Sequence, residues 1–203
     1  MIKNIFLAIA LLLVTSQAHA QPCPEIEIPQ GAWSGTPLHK AILADDVEKA
    51  RRLISASTVN VPDGYGDPPL VLALTLSELL EPAGIVSAGK RRALRLAQAK
   101  AREAIASALI SGGADVNAPG AHGATPLARL VSGGFTPEAE VRLAQQLLKA
   151  GAKVDARDDF GSTALLIATQ RPRSDLVRLF LSAGADPNIT NCRGEAAALL
   201  LHR

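Results

Sequence analysis

The 203-residue chain is poor in aromatic residues, which make up 3% of it: one Trp, one Tyr and four Phe. That scarcity excludes a core built on ring clusters and removes the stacking platforms that single-stranded nucleic acid would need. Cysteine is equally scarce, with two in the chain, so a disulfide-dense scaffold is excluded. Charge of one sign is missing too. Lys and Arg number 21 against 19 Asp and Glu, for a formal net charge of +2, too little for global electrostatic capture of DNA or RNA. Nor is there a long hydrophobic run. The stretch from Ile5 to Val14 holds ten apolar residues, against the roughly 20 that span a bilayer, and no later segment is longer.

Residues of 48% hydrophobic character are nonetheless present, almost wholly Ala, Leu, Ile and Val, a mixture that predicts a mainly helical protein. The first twenty residues read as a signal peptide. Lys3 supplies a basic start, Ile5 to Val14 an apolar centre, and Ala18-His19-Ala20 a small-x-small cleavage site. The expected product is exported to a bacterial periplasm, cleaved after Ala20, with no stable membrane insertion afterwards. Residues before Cys23, Ala20-Gln21-Pro22, do not form a lipobox.

Catalytic chemistry has little to stand on. Beyond the leader, His39, His122 and His202 are scattered, with no acidic or Cys partner at metal-ligand spacing. No Gly-rich loop follows a strand and no Ser occupies a nucleophile elbow. The expectation is no catalytic residues, no metal and no cofactor. An enzyme whose site is assembled from distant segments is the remote alternative.

The chain instead repeats itself. "GTPLHKA" at 35–41 returns in part as "GATPLAR", "GSTALLI" and "GEAAALL". Gly35, Gly66, Gly123, Gly161 and Gly194 open similar units, spaced by 31, 57, 38 and 33 residues. A second marker keeps the same phase: "GGADVN" at 112–117, "AGAKVD" at 150–155 and "AGADPN" at 183–188, with "ASTVN" at 56–60 a degenerate version. Thr36 and Thr125 fit helix N-caps followed by Pro37 and Pro126 at the first helical position. Apolar stripes at helical spacing then mark a second helix per unit, such as Leu143-Ala144 with Leu147-Leu148 and Leu176-Val177 with Phe180-Leu181. Gly113, Gly151 and Gly184 fall where a left-handed C-cap is needed. Asp45-Asp46 suits a helix N-terminus, where carboxylates favour the dipole.

With T-P-L-H-x-A matched in full by Thr36 to Ala41, the chain resembles the ankyrin family over roughly residues 35–203. The resemblance implies an all-α ankyrin-repeat solenoid of about four helix-pair units, near 35–65, 66–122, 123–160 and 161–193. A half-unit at 194–203 follows, and residues 21–34 form an N-terminal extension. It also implies that His39 hydrogen-bonds between neighbouring turns. The corresponding positions are Val71, Ala128, Leu166 and either Ala197 or Leu199. The 57-residue spacing places about 24 residues beyond the usual period in the second unit. They are expected to lengthen both its helices into a projecting arm broken at "EPAGIVSAG", residues 81–89.

Two surfaces are candidates for a protein partner, the family's usual ligand, bound by a monomer. One is the row of turn tips, where Tyr65, His122, Phe160 and Arg193 occupy equivalent positions; interfaces favour most of these types. Bracing of the turns is the competing role for Tyr65 and Phe160. The other is the arm, with Lys90, Arg91, Arg92, Arg95, Lys100 and Arg102 around the single nearby acid Glu103. Arg91, Arg92 and Arg95 are its candidate contacts, a solvated helix face being the plainer reading. Cys23 and Cys192 are candidates for a disulfide in an oxidising compartment. A free thiol or a bond to another molecule are the alternatives. By family likeness alone the role is that of a toxin-neutralising immunity protein, or of a stress-associated, redox-sensitive scaffold.

Overall fold

The computed structural model describes residues 34–75, 88–171 and 173–201, and they form an all-α solenoid. Helices α1 (Pro37–Leu43) and α2 (Val47–Leu53) make the first pair. Then come α3 (Pro69–Ala73) with α4 (Ala88–Ser111), α5 (Pro126–Ser132) with α6 (Pro137–Lys149), and α7 (Ala164–Thr169) with α8 (Ser174–Ser182). A last helix, α9 (Ala197–Leu201), follows. The first helices stack in the order α1, α3, α5, α7, α9 and the second helices in the order α2, α4, α6, α8. Two parallel layers result, with one continuous core between them, mostly Leu, Ile, Ala and Val together with Phe135 and Phe180.

Local chemistry sets where these helices begin and end. Thr36, Thr125, Thr136 and Thr163 are N-caps whose hydroxyls accept a backbone N–H three residues on, and Pro follows Thr36, Thr125 and Thr136. Asp46 caps α2 in the same way. Asp45, expected beside it as a dipole partner, instead takes a left-handed conformation (φ 54°) at the end of α1, which a short polar side chain tolerates. Gly113, Gly151 and Gly184 have the positive φ their position required. The second pair departs from expectation. Only its second helix is long, 24 residues, whereas α3 has five. The expected break at 81–89 lies mostly outside the described residues, and α4 is already under way at Ala88.

Each unit covers the one before it, and one position records this. His39 is fully buried: its Nε2–H donates to Asp67 O of the next unit (3.2 Å), while Nδ1 lies 2.7 Å from the Thr36 hydroxyl. Because a carbonyl can only accept, Nε2 carries the proton. Three residues after their N-caps, Val71, Ala128 and Leu166 take the same place at 0%, 2% and 1% exposure. In α9 that place falls to Leu199, which is 64% exposed, with no further unit packed on it among the described residues. The register left open by the sequence is therefore that of Leu199, and Ala197 is a buried first-turn residue.

Polar ties run beside the apolar contact. Asn60 Oδ1 accepts Asp115 N–H and Asn117 Oδ1 accepts Lys153 N–H, both at 2.8 Å, and Asp155 Oδ1 accepts Asp186 N–H at 3.0 Å. On the inner edge, where the two helices of a pair join, ion pairs cross from unit to unit. Arg102, 3% exposed, pairs with Asp45 and donates to the carbonyls of Leu72 and Thr75. Glu103 meets Arg142, and the fully buried Glu140 lies 2.8 Å from Arg173 Nε. Arg102 is thus a structural residue and no part of an exposed basic face, a correction to its grouping with the arm.

Glu140 pairs with Arg173 at 2.8 Å but is itself fully buried. Burial consequently outweighs the attraction of Arg173 and Arg171 and raises its pKa from 4.5 to about 7. A raised acid binds its proton more tightly in the folded state. Its stabilising contribution is full below about pH 4.5, falls as pH rises toward 7, and stays lost above. Glu140→Gln should remove that slope. The difference in melting temperature between variant and wild type should move in favour of the variant from pH 5 to 7.5; a pH-independent difference would contradict the assignment. Arg102→Leu should cost about 2–4 kcal/mol in urea denaturation, somewhat under a fully buried pair because Asp45 keeps some water contact. Adding Asp45→Asn should restore part of it.

Candidate partner-binding surfaces

Opposite the inner edge, the chain turns sharply between units, and the turns are built alike. Asp63 Oδ1 accepts the N–H groups of Tyr65 and Asp67, and Asp158 Oδ1 those of Phe160 and Ser162. Asn191 Oδ1 does the same for Arg193 and Glu195. One short carboxylate or amide therefore fixes each loop from inside, a side-chain mimic of a backbone turn. Burial holds Asp158 above its ordinary pKa against the pull of those two N–H groups. These three residues carry no partner-binding signal in the sequence. Their equal spacing ahead of Gly66, Gly161 and Gly194 was the available clue.

Adjacent tips are also tied by their backbones. Gly64 N–H donates to Ser34 O (2.8 Å), Asp159 N–H to His122 O (3.1 Å) and Cys192 N–H to Phe160 O (2.8 Å). Tyr65, His122 and Arg193 are exposed on these tips, and Phe160 is half-buried. The rings of His122 and Phe160 meet at a centroid distance of 6.4 Å and a tilt of 45°. So three of the sequence-predicted residues lie on consecutive, mutually anchored loops, while Tyr65 stands one loop away. Beside them runs the more open side of the first helices, with Lys40, Leu72, Arg129 and Ile167 in equivalent places.

The row is interrupted once. Between the tips of Tyr65 and His122, the N–H of Ala121 is taken by the Asp67 carboxylate at 2.7 Å. Gly120 occupies the position that Asp63, Asp158 and Asn191 hold elsewhere, and His122 adopts a left-handed conformation (φ 60°) in a short 3-10 turn. A Cβ on Gly120 would collide with the Asp67 carboxylate and the Val71 side chain. No Asx side chain fits there, and Asp67 reaches across instead.

The second candidate surface lies far from the first. α4 begins at Ala88, fourteen residues before Arg102, and at 1.5 Å per residue that is about 21 Å beyond the inner edge. Arg92, Leu94, Arg95, Leu96 and Lys100 are exposed there, and the first buried residue of the helix is Ala99. The side chain of Arg91 lies outside the described residues. Arm and tips cannot belong to one compact contact.

Among the described residues no group of His, Cys, Asp and Glu could hold a metal, and no helix is long and apolar enough to cross a membrane. Cys192, partly buried at the last tip, is disulfide-bonded. Cys23 lies outside the described residues, as do the leader and His202.

The crowding at Gly120 sets a test of the interrupted row. Gly120→Ala should lower stability by roughly 1–3 kcal/mol by over-packing, read as a shifted urea midpoint, whereas Pro119→Ala, one residue away and exposed, should leave the midpoint unchanged.

Comparison with known proteins agrees with this architecture. Residues 93–191 match the family described as ankyrin repeats, in three copies. An ankyrin repeat-containing protein of Treponema pallidum is 41% identical over 64 residues, 31% of this chain and 22% of that protein. An ankyrin repeat protein of Rickettsia bellii is 33% identical over 64 residues, 32% of this chain and 19% of the relative. Ankyrin repeat domain-containing protein 63 of Mus musculus is 36% identical over 78 residues, 38% and 20% of the two chains. The matches thus span about a fifth of the length of these relatives. The family match thus identifies an ankyrin-repeat domain over residues 93–191, and the stacked helix pairs on either side of that span are built in the same way.

Proposed function

We propose that this is a non-enzymatic protein-binding module that acts in the periplasm after removal of residues 1–20 and captures one protein partner on its tip row. The observation that carries the reading is the row itself. Tyr65, His122, Phe160 and Arg193 occupy equivalent places on loops held rigid by Asx turns, or at His122 by the Asp67 carboxylate, and by backbone ties. Rigid loops lose little conformational freedom on association, so aromatic and Arg side chains on them are suited to act as anchors. An immunity-type role, neutralising a toxin or another envelope protein, is the specific form we favour. The disulfide-bonded state of Cys192 supports a second reading, a redox-sensitive scaffold using Cys23 and Cys192. The arm residues Arg91, Arg92 and Arg95 are the alternative contact.

Affinity capture from the cell envelope, with the partner identified and titrated, separates these readings. Tyr65→Ala with Phe160→Ala should weaken binding at least about tenfold, the scale of a hot-spot loss, with helical circular dichroism unchanged. Charge reversal at Arg91, Arg92 and Arg95 should leave binding within about twofold. The opposite pattern would move the site to the arm, and survival of binding in both variants would remove both surfaces.

A further inference from the structure

The first helices carry a row of their own beside the tips. Four residues after their N-caps, α1, α3, α5 and α7 place Lys40, Leu72, Arg129 and Ile167 on the open side of the stack. Lys40 is exposed and the other three are half-buried. Cation and apolar side chain thus alternate from one unit to the next. No Asp or Glu occurs in α1, α3, α5, α7 or α9, so nothing within this layer offsets the two cations.

The acids of the neighbouring tips are engaged inside the loops. Asp63 and Asp158 hold the N–H groups of their own turns, and Asp67 takes the N–H of Ala121. Glu195 accepts from the side-chain amides of Gln170 and Asn191. Asp159 is the tip acid left exposed among the described residues. Neither Lys40 nor Arg129 meets a carboxylate among these residues, whereas Arg102, Arg142, Arg173 and Arg178 each have one. Arg129 is the sharper case. One of its terminal nitrogens donates to Ala121 O at 3.4 Å, and its Nε is buried with no acceptor among the described residues. A guanidinium so incompletely satisfied is a ready partner for a carboxylate, whose two oxygens match its fork of donors.

Few ligand shapes can touch all four residues at once. Neighbouring packed helices lie roughly 8–10 Å apart. A polyproline II segment turns once in three residues, about 9 Å, and presents the same side at every third residue. One side chain then falls on each unit. A β-strand repeats its side after about 7 Å and falls progressively out of step with the row. The rings of Tyr65, His122 and Phe160 stand on the adjoining tips, and aromatic surfaces of this kind are what prolines in such a segment pack against.

We propose that this side of the stack binds a proline-rich, acidic segment of the partner in the polyproline II conformation. Two acidic residues, six apart, meet Lys40 and Arg129. Apolar residues, one midway between them and one three beyond, meet Leu72 and Ile167. The proposal rests on the tip side being the partner's surface and names the chemistry of the segment that lies there.

The probe is a synthetic peptide of two Glu-Pro-Pro-Leu-Pro-Pro repeats closed by a further Glu, blocked at both ends, which presents the same spacing in either chain direction. Titrated into the full chain and followed by fluorescence anisotropy, it should bind saturably; no saturation by about 1 mM overturns the proposal. A peptide of the same composition with Glu and Leu at every second position should bind at least about fivefold more weakly, and equal binding overturns the polyproline II spacing. Lys40→Glu and Arg129→Glu should each weaken binding at least about fivefold, the scale of turning an exposed ion pair into a repulsion. Arg92→Glu on the arm should change it less than about twofold. Lys40 is exposed, so its reversal leaves the fold intact and decides the matter even if Arg129→Glu loses helical circular dichroism. A peptide with Lys in place of Glu should bind Lys40→Glu better than the original peptide does, and the absence of that exchange overturns the charge pairing. The two readings fail separately. If the peptide does not bind but Tyr65→Ala with Phe160→Ala still abolishes partner capture, the tip row stands and the segment falls. If the peptide binds and those tip variants leave capture intact, the helix row is the site and the tip-row reading falls.

Discussion

A helix pair as short as α1 with α2 cannot bury its own apolar sides, so every pair depends on the next one to exclude water from the face it leaves open. That mutual covering is the constraint from which the rest of the molecule follows. It explains why His39, Val71, Ala128 and Leu166, four chemically different side chains, are all buried at one position, and why Leu199 at the end is not. It also makes the junctions, rather than the units, the places where polar groups must be satisfied. His39 to Asp67, Asn60 to Asp115 and Arg102 to Asp45 are three solutions to that demand at one or other level of the stack.

Rigid stacking has a consequence for binding. Once the helices are fixed, the loops between them are spaced by the helix packing distance, and backbone bonds between neighbouring tips remove their remaining freedom. Side chains at equal positions on such loops form a row without any interaction among themselves. The His122–Phe160 contact is an addition to that row, not its cause. The one junction built differently, at Gly120, keeps the spacing by letting Asp67 do what a local Asx residue does at the other tips.

Much of the fold was legible because the relevant rules are local. Thr-Pro pairs announced helix starts, glycines after the second helices announced their ends, and the recurrence of both gave the period. The tip positions could be aligned for the same reason. Long-range partners were not legible. Arg102 reads like any arm cation until the stack brings Asp45 and two carbonyls around it, and Glu140 looks like a first-turn helix acid until the next loop buries it. The length of the inserted region was visible, but its distribution was not. Nothing in the residues around Leu74 says that α3 stops after five residues while α4 runs for 24.

The sequence by itself determined the repeating unit, the boundaries of its helices and the side chains carried by each turn, because caps, prolines and glycines act within a few residues. Only the tertiary structure decided which polar residues are buried, which register the last helix takes and which of the basic residues face solvent. Those outcomes depend on what the neighbouring unit places opposite a residue. Desolvation and ion pairing are settled by surroundings that no stretch of sequence contains.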